Sequence, residues 1–235
     1  MTKPPKIYIK NPFLSFYFKV HAFIKSYKPI ASKEINWDDR FSQLGSYGVI
    51  DTRHPLREFS YVTERQKKII FPLFKSQLLG TEKNILDFGC GPGRFTFDLA
   101  AIIKGQAIGV DVTKGYIHLA RDQLNDINKK NVKFIHSRSF LNSNKVKFDI
   151  IWICLVLGGI SDINMAEISK KISRNLNTNG LLFIIESTSK KNKKGLWNTR
   201  TVSEVIGFFN GVNLKRISLY IDANQEISIF AGRKY

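Results

Sequence analysis

Five residues between positions 87 and 111 carry the clearest chemical signal in the chain: Asp87, Gly89, Gly91, Gly93 and Asp111. Glycines at alternate positions build a loop whose backbone approaches a ligand closely, because no Cβ stands in the way. A carboxylate at Asp111 is suited to accept hydrogen bonds from both hydroxyls of a ribose. Ile85, Leu86 and Phe88, ahead of the glycines, read as a buried parallel strand. Phe95, Phe97, Leu99, Ala100, Ile102 and Ile103, after them, fit a helix that opens directly off the loop. Ala107 to Val110 form a second strand ending at Asp111. Together these elements make the nucleotide-binding corner of a doubly wound α/β sheet.

The spacing narrows the choice of nucleotide. Dinucleotide folds use G-x-G-x-x-G, in which the third glycine packs helix against strand. This chain has G-x-G-x-G, with Arg94 where that third glycine would fall and Asp87 two residues before the first. The pattern resembles motif I and the following acidic site of class I S-adenosylmethionine-dependent methyltransferases. The resemblance spans roughly residues 80–235, with the loop, the acidic residue and the later strands in order.

That resemblance implies an α/β, Rossmann-like seven-stranded sheet of order 3-2-1-4-5-7-6, strand 7 antiparallel, with an N-terminal helical cap. It implies an S-adenosylmethionine-binding methyltransferase domain over 81–235, and composition marks residues 1–80 as a basic, aromatic arm and helical cap. Asp87, Gly89, Cys90, Gly91 and Gly93 would face the methionine part of the cofactor, and Asp111 with Val112 its ribose. The loop after His136 would pass the adenine, where the family often places an acidic residue. Arg138 stands there instead and cannot accept a hydrogen bond, so backbone groups around Arg138 and Ser139 would take that role. Ile153 ends the fourth strand on the same edge, and Tyr47, Tyr61 and Arg65 are candidates for closing over the methionine end. For Arg65 that means pairing with the carboxylate.

Methyl transfer needs alignment and exclusion of water more than acid catalysis, since the leaving group is a neutral thioether. A hydroxyl or amine acceptor benefits from a base. His54, on a cap loop, and Glu186, ending the fifth strand, are the candidates. His136 reads as structural and His118 as uninvolved. The residues after strand four, Trp152-Ile153-Cys154-Leu155, differ from the Asn/Asp-Pro-Pro-aromatic run of exocyclic-amine methyltransferases. No Pro-Cys nucleophile and no metal-ligand cluster is evident.

Composition sets the outer bounds. A chain of 235 residues, 43% hydrophobic and 24% charged, suits one α/β domain with a modest cap. No apolar run approaches the roughly 18 residues of a membrane span, and no secretory signal is visible. Cys90 and Cys154, the only cysteines, exclude a disulfide framework and a four-cysteine zinc site. A cytoplasmic location is expected, with peripheral membrane contact as a variant of it. The net charge of +18 is uneven: residues 1–33 carry seven lysines before the first acid, Glu34, and a second run spans Lys190 to Lys194. Such a field attracts RNA or an anionic membrane surface. Phe13, Phe16, Tyr17, Val20, Phe23, Ile24 and Tyr27 fall at helical spacing, an amphipathic helix suited to core packing or a membrane surface.

Three functional classes follow: an enzyme methylating a small molecule or sugar-containing metabolite, an RNA methyltransferase, and a non-catalytic cofactor-binding scaffold. The elements expected to position the site are a helix over Thr63–Leu79, another from Lys114 to about Leu124, and strands at Val132–His136 and Phe148–Ile153. A helix over Ile163–Leu176 then leads through a turn at Asn177–Gly180 to strand Leu181–Glu186. Helix Ser203–Phe209 and the strand pair Leu214–Tyr220 and Glu226–Ala231 close the fold.

Overall fold

A computed structural model describes residues 35–55, 58–127, 129–136, 140, 146–188 and 197–235. Among these, the strands are β1 (Asn84–Phe88), β2 (Gln106–Asp111), β3 (Val132–His136), β4 (Phe148–Cys154), β5 (Leu176–Ser187), β6 (Lys215–Asp222) and β7 (Gln225–Arg233). They form one sheet of order β3-β2-β1-β4-β5-β7-β6, as expected. β1 to β5 are parallel, and β7 is antiparallel to both β5 and β6. The helices are α1 (Trp37–Leu44), α2 (Phe59–Lys75), α3 (Thr96–Ile103), α4 (Lys114–Ile127), α5 (Asp162–Asn175) and α6 (Val202–Gly207). Two 3-10 turns, Gly45–Val49 and Leu157–Gly159, complete the elements that border the site.

The central strands are apolar on both faces because helices cover both faces. Ile85, Ile150, Trp152, Phe183 and Ile185 pack with Ile70 and Phe74 of α2, Leu99 of α3 and Ile117 of α4. On the other face, Leu86, Ile151, Ile153, Leu182 and Ile184 meet Met165 and Ile172 of α5 and Val205 of α6. Trp152 anchors the first cluster, stacked on Phe183 at 5.1 Å and met edge-on by Phe74 at 5.1 Å. Burial of each such side chain contributes about 1.5–3 kcal/mol. Helix α2 therefore shares the core of the sheet.

Local chemistry sets the helix starts. Asn36 caps α1 by accepting from the Asp38 and Asp39 amides, and Ser161 caps α5 through the Asn164 amide. Thr201 and Glu204 make a reciprocal capping box on α6.

Helix α2 runs four residues earlier than the expected Thr63–Leu79. Pro72 has no N–H to continue the ladder, and the chain leaves the helix within a turn of it. The Leu79 and Gly80 amides are then held by the Glu82 carboxylate at 2.9–3.1 Å. The expected turn at Asn177–Gly180 lies inside β5. The ladder to β4 steps from Phe148↔Leu176 to Ile150↔Leu181, so residues 177–180 loop out, with Asn179 at φ +61°. Backbone bonds between this bulge and Lys234, 2.8 and 3.1 Å long, hold it beside the end of β7. The amphipathic stretch 13–27, the basic arm 1–33, Lys190–Lys194, Arg138 and Ser139 lie outside the described residues. Among the described residues, no helix is long and apolar enough to cross a membrane.

Candidate functional site

The loop between β1 and α3 is shaped by three glycines at positive φ, Gly89, Gly91 and Gly93, the last at φ +83°. Gly89 has φ +75°, and a Cβ there would sit 2.4 Å from Val156 Cγ2. Gly91 has φ +55°, and the nearest atom to such a Cβ is Val49 Cγ1 of the cap, at 3.0 Å. L-residues resist both conformations. The Gly89 and Cys90 amides donate to Val110 O at 2.8 and 3.1 Å, which ties the loop to the end of β2.

Asp111 completes that tie. Its Oδ2 accepts from the Gly91 amide at 2.9 Å, and its Oδ1 from the Thr113 amide at 2.9 Å. Burial raises the Asp111 carboxyl above the usual range, against the lowering effect of these amides. Asp87 is 2% exposed, and its Oδ2 accepts from the Thr96 hydroxyl at 2.6 Å. Burial pushes its pKa up to about 7.

A cleft opens above the carboxyl ends of β1, β2 and β4, enclosing about 940 Å3 with its open mouth counted. Its floor is Asp87 to Gly91 with Val110, and one wall is Asp111, Val112 and Tyr116. Arg94 and Phe95 line it from the glycine loop, Cys154 to Val156 from the end of β4, and Ile160 and Ile168 from the segment beyond. The cap contributes Trp37 and Val49, and Trp197 closes the far side. The cap is seated by Phe41, which meets Tyr116 edge-on at 5.0 Å and lies over Gly115, where a Cβ would come within 2.0 Å of its ring. Burial raises both thiols, Cys154 to about 12 and Cys90 well above its ordinary value, so both stay protonated and are poor nucleophiles.

Of the expected site residues, the structure gathers Asp87, Gly89, Cys90, Gly91, Asp111 and Val112 around this cleft. Others stand elsewhere. Gly93 packs beside Phe134 behind the loop. Ile153 is fully buried in the α5 face of the sheet, one residue below the edge, where Cys154 and Leu155 reach the cleft instead. Tyr47 is spent within the cap, its hydroxyl donating to Thr52 O at 3.0 Å and to His54 O. Arg65 does not reach the cleft: its guanidinium pairs with Asp222 at the end of β6. His54 lies on the same carboxylate, with Nε2 3.1 Å from Asp222 Oδ1. A buried carboxylate draws in the nearest donors, and Asp222 also accepts from Gln66 at 3.3 Å.

Glu186 is 5% exposed and is not part of the cleft lining. Its Oε2 accepts from the Leu157 amide at 2.7 Å and the Gly158 amide at 3.4 Å, and its Oε1 from the Ser187 amide at 3.0 Å. Burial raises it to about 7. The carboxylate holds the 3-10 turn from below, while Arg200 holds the same turn by its carbonyls, Leu157 O at 2.6 Å and Ile160 O at 2.7 Å. His136 lies 3.0 Å from Val112 O, and His118 is an exposed partner of Asp122. Among the described residues, no group of three or more His, Cys, Asp or Glu is placed to hold a metal.

Sequence reading missed Arg94. Its Nε donates to Thr63 Oγ1 at 3.1 Å, one terminal nitrogen to Val49 O at 3.4 Å and the other to Gln66 Oε1. The guanidinium lies 4.9 Å over the Phe95 ring with no carboxylate among the described residues in direct contact, and burial works against its charge. The signal was present: an arginine occupies the slot where a dinucleotide loop keeps glycine. Tyr116 was missed as well, and its hydroxyl is buried in the cleft wall without a hydrogen-bond partner among the described residues.

The relatives of the chain fit this geometry. It is 32% identical over 111 residues to demethylmenaquinone methyltransferase of Lactococcus lactis, covering 46% of this chain and 43% of that protein. It is 29% identical over 107 residues to the N-terminal Xaa-Pro-Lys N-methyltransferase 1 of Bos taurus, covering 45% and 48%. The chain thus spans about half the length of the curated relatives it matches. The fold matches that of the N-methyltransferase NodS from Bradyrhizobium japonicum, solved with S-adenosyl-L-homocysteine, at TM-score 0.62 and 20% identity over 77% of this chain and 91% of that one. A family model described as a methyltransferase domain matches residues 79–218, more than half of the chain. With the seven-stranded order and the glycine loop, this places the chain in the class I S-adenosylmethionine-dependent methyltransferase family.

Proposed function

We propose that the cleft binds S-adenosylmethionine and that the chain transfers the methyl group to a small molecule admitted beside the cap. The observation that carries this reading is the bare cradle at Gly89 and Gly91 facing Asp111, which added Cβ atoms would fill or strain. The polar groups present fit the cofactor. Each Asp111 oxygen accepts one protein amide and keeps a lone pair for a ribose hydroxyl. Arg94 spends three of its five N–H groups on protein acceptors and keeps two for a carboxylate. The Tyr116 hydroxyl is a further donor or acceptor without a partner among the described residues.

When bound, S-adenosylmethionine supplies an electrophilic methyl group whose leaving group is a neutral thioether. The chain's own contribution is placement. The glycine loop and Asp111 orient the donor, Arg94 draws in its negative end, and Trp37, Val49 and Phe41 of the cap shut water out. Glu186 and Arg200 fix the turn that borders the acceptor side, so Glu186 acts through the turn and not as the base. A rise in melting temperature on adding S-adenosylhomocysteine supports this reading, and no rise at millimolar ligand refutes it.

A further inference from the structure

Asp222 stands on the same edge of the sheet as the cleft. β7 is antiparallel to β5, and β6 is antiparallel to β7. β6 therefore points the same way as the parallel strands, and its last residue, Asp222, reaches their carboxyl edge. In the strand order β4, β5 and β7 still separate β6 from β1. Helix α2 spans that gap. Its Gln66, 1% exposed, donates through Nε2 to Asp222 Oδ2 at 3.3 Å and accepts through Oε1 from a terminal nitrogen of Arg94. Thr63, three residues earlier on the same face of α2, accepts from the Arg94 Nε at 3.1 Å. Two contacts from one helix, on two nitrogens, fix the plane of the guanidinium.

The chemistry of the three groups gives this chain a direction. An arginine only donates, and an ionised aspartate only accepts. A side-chain amide between them satisfies both in one orientation alone, oxygen toward Arg94 and NH2 toward Asp222. Turned over, it would set NH2 against the guanidinium and oxygen against the carboxylate, and mismatched buried polar groups are costly. Asp222 thus decides which atom Gln66 shows to Arg94. The carboxylate is itself anchored from the cap, by the Arg65 guanidinium and by His54 Nε2 at 3.1 Å. Burial works against the Arg94 charge, and the field of Asp222 is among the influences that favour it.

We propose that Gln66 and Asp222 are positioning residues for the cofactor: Asp222 sets the Gln66 amide, and Gln66 aims the Arg94 guanidinium at the carboxylate of S-adenosylmethionine. This rests on the cofactor reading of the cleft given above. The test is calorimetric titration of the full chain with S-adenosylhomocysteine and with its decarboxylated analogue, which keeps the amine and lacks the carboxylate. The wild-type protein should prefer S-adenosylhomocysteine by about tenfold or more, and Arg94→Gln should remove most of that preference. Gln66→Leu takes the acceptor from Arg94. Asp222→Asn keeps an oxygen for Arg65 but lets the Gln66 amide turn over, because an asparagine amide both donates and accepts. Each should cut the preference about fivefold, with binding of the analogue held within about twofold. In the Arg94→Gln background, Asp222→Asn should cost no further preference. An unchanged preference in Gln66→Leu and Asp222→Asn overturns the proposal, and so does equal weakening of both ligands, the mark of a merely structural role. A further loss of preference in the Arg94→Gln background overturns it too. Those outcomes leave the cofactor reading standing. A wild-type chain that binds neither ligand overturns both, and one that binds the two equally removes the role of Arg94 and the proposal with it.

Discussion

Gly89→Ala isolates the packing that shapes the cleft floor. The new methyl would lie 2.4 and 2.8 Å from the two Val156 methyls, on a residue at φ +75°. The left-handed backbone costs an L-residue about 1–2 kcal/mol, and overpacking a filled site about 1–3 kcal/mol. The sum is a destabilisation of about 2–5 kcal/mol. For a chain of this size that lowers the melting temperature by about 4–20 °C. The two contributions separate in a double-mutant cycle. Val156→Ala removes both clashing methyls and leaves the backbone cost, so Gly89→Ala with Val156→Ala should be more stable than the sum of the single variants by about 1–3 kcal/mol. Thermal denaturation of the four proteins, each with and without S-adenosylhomocysteine, provides the measurement. Strict additivity, or a Gly89→Ala protein as stable as wild type, refutes the argument that Gly89 is required by the approach of Val156.

Asp111→Ala leaves the Gly91 and Thr113 amides without their acceptor and removes the group proposed for the ribose; calorimetry should show S-adenosylhomocysteine binding weakened by about 1–3 kcal/mol, and unchanged affinity removes that role. The Asp87 carboxyl titrates at about 7 folded, against 3.8 as its ordinary value. A raised carboxyl makes the folded state hold the extra proton, so its cost is absent at low pH, grows from about pH 4 to about pH 7 and is constant above. Asp87→Asn should flatten the fall in stability across that window by up to about 4 kcal/mol, and an unchanged slope in denaturant melts at successive pH values counts against the buried carboxyl. Glu186→Gln keeps an oxygen for the Leu157 and Gly158 amides but turns an NH2 toward the Ser187 amide. It should destabilise by about 1–3 kcal/mol and leave the shape of the kcat pH profile intact, whereas loss of one limb of that profile would restore Glu186 as the base.

The glycine loop and the acidic end of β2 were legible in the chain because they depend on short-range facts, whereas the order of the strands was implied by the family resemblance. A run of apolar residues fits a strand covered on both faces, and a backbone without Cβ turns where side chains cannot. Element ends shifted where a side chain from outside the element competed for its amides, as Glu82 does after α2.

Side-chain partners were decided by tertiary structure alone. Arg65 reaches Asp222 across 157 residues of sequence, and that contact, with His54 on the same carboxylate, takes both away from the cleft. Arg94 enters it instead, held by Thr63, Val49 and Gln66 from the cap. Trp37 and Trp197 become one surface only because α1 and the segment after β5 fold onto Gly158 and Gly159. Periodicity says which face a residue takes; which charge satisfies a buried carboxylate depends on every group that folding brings within about 3 Å, and no local pattern encodes that set.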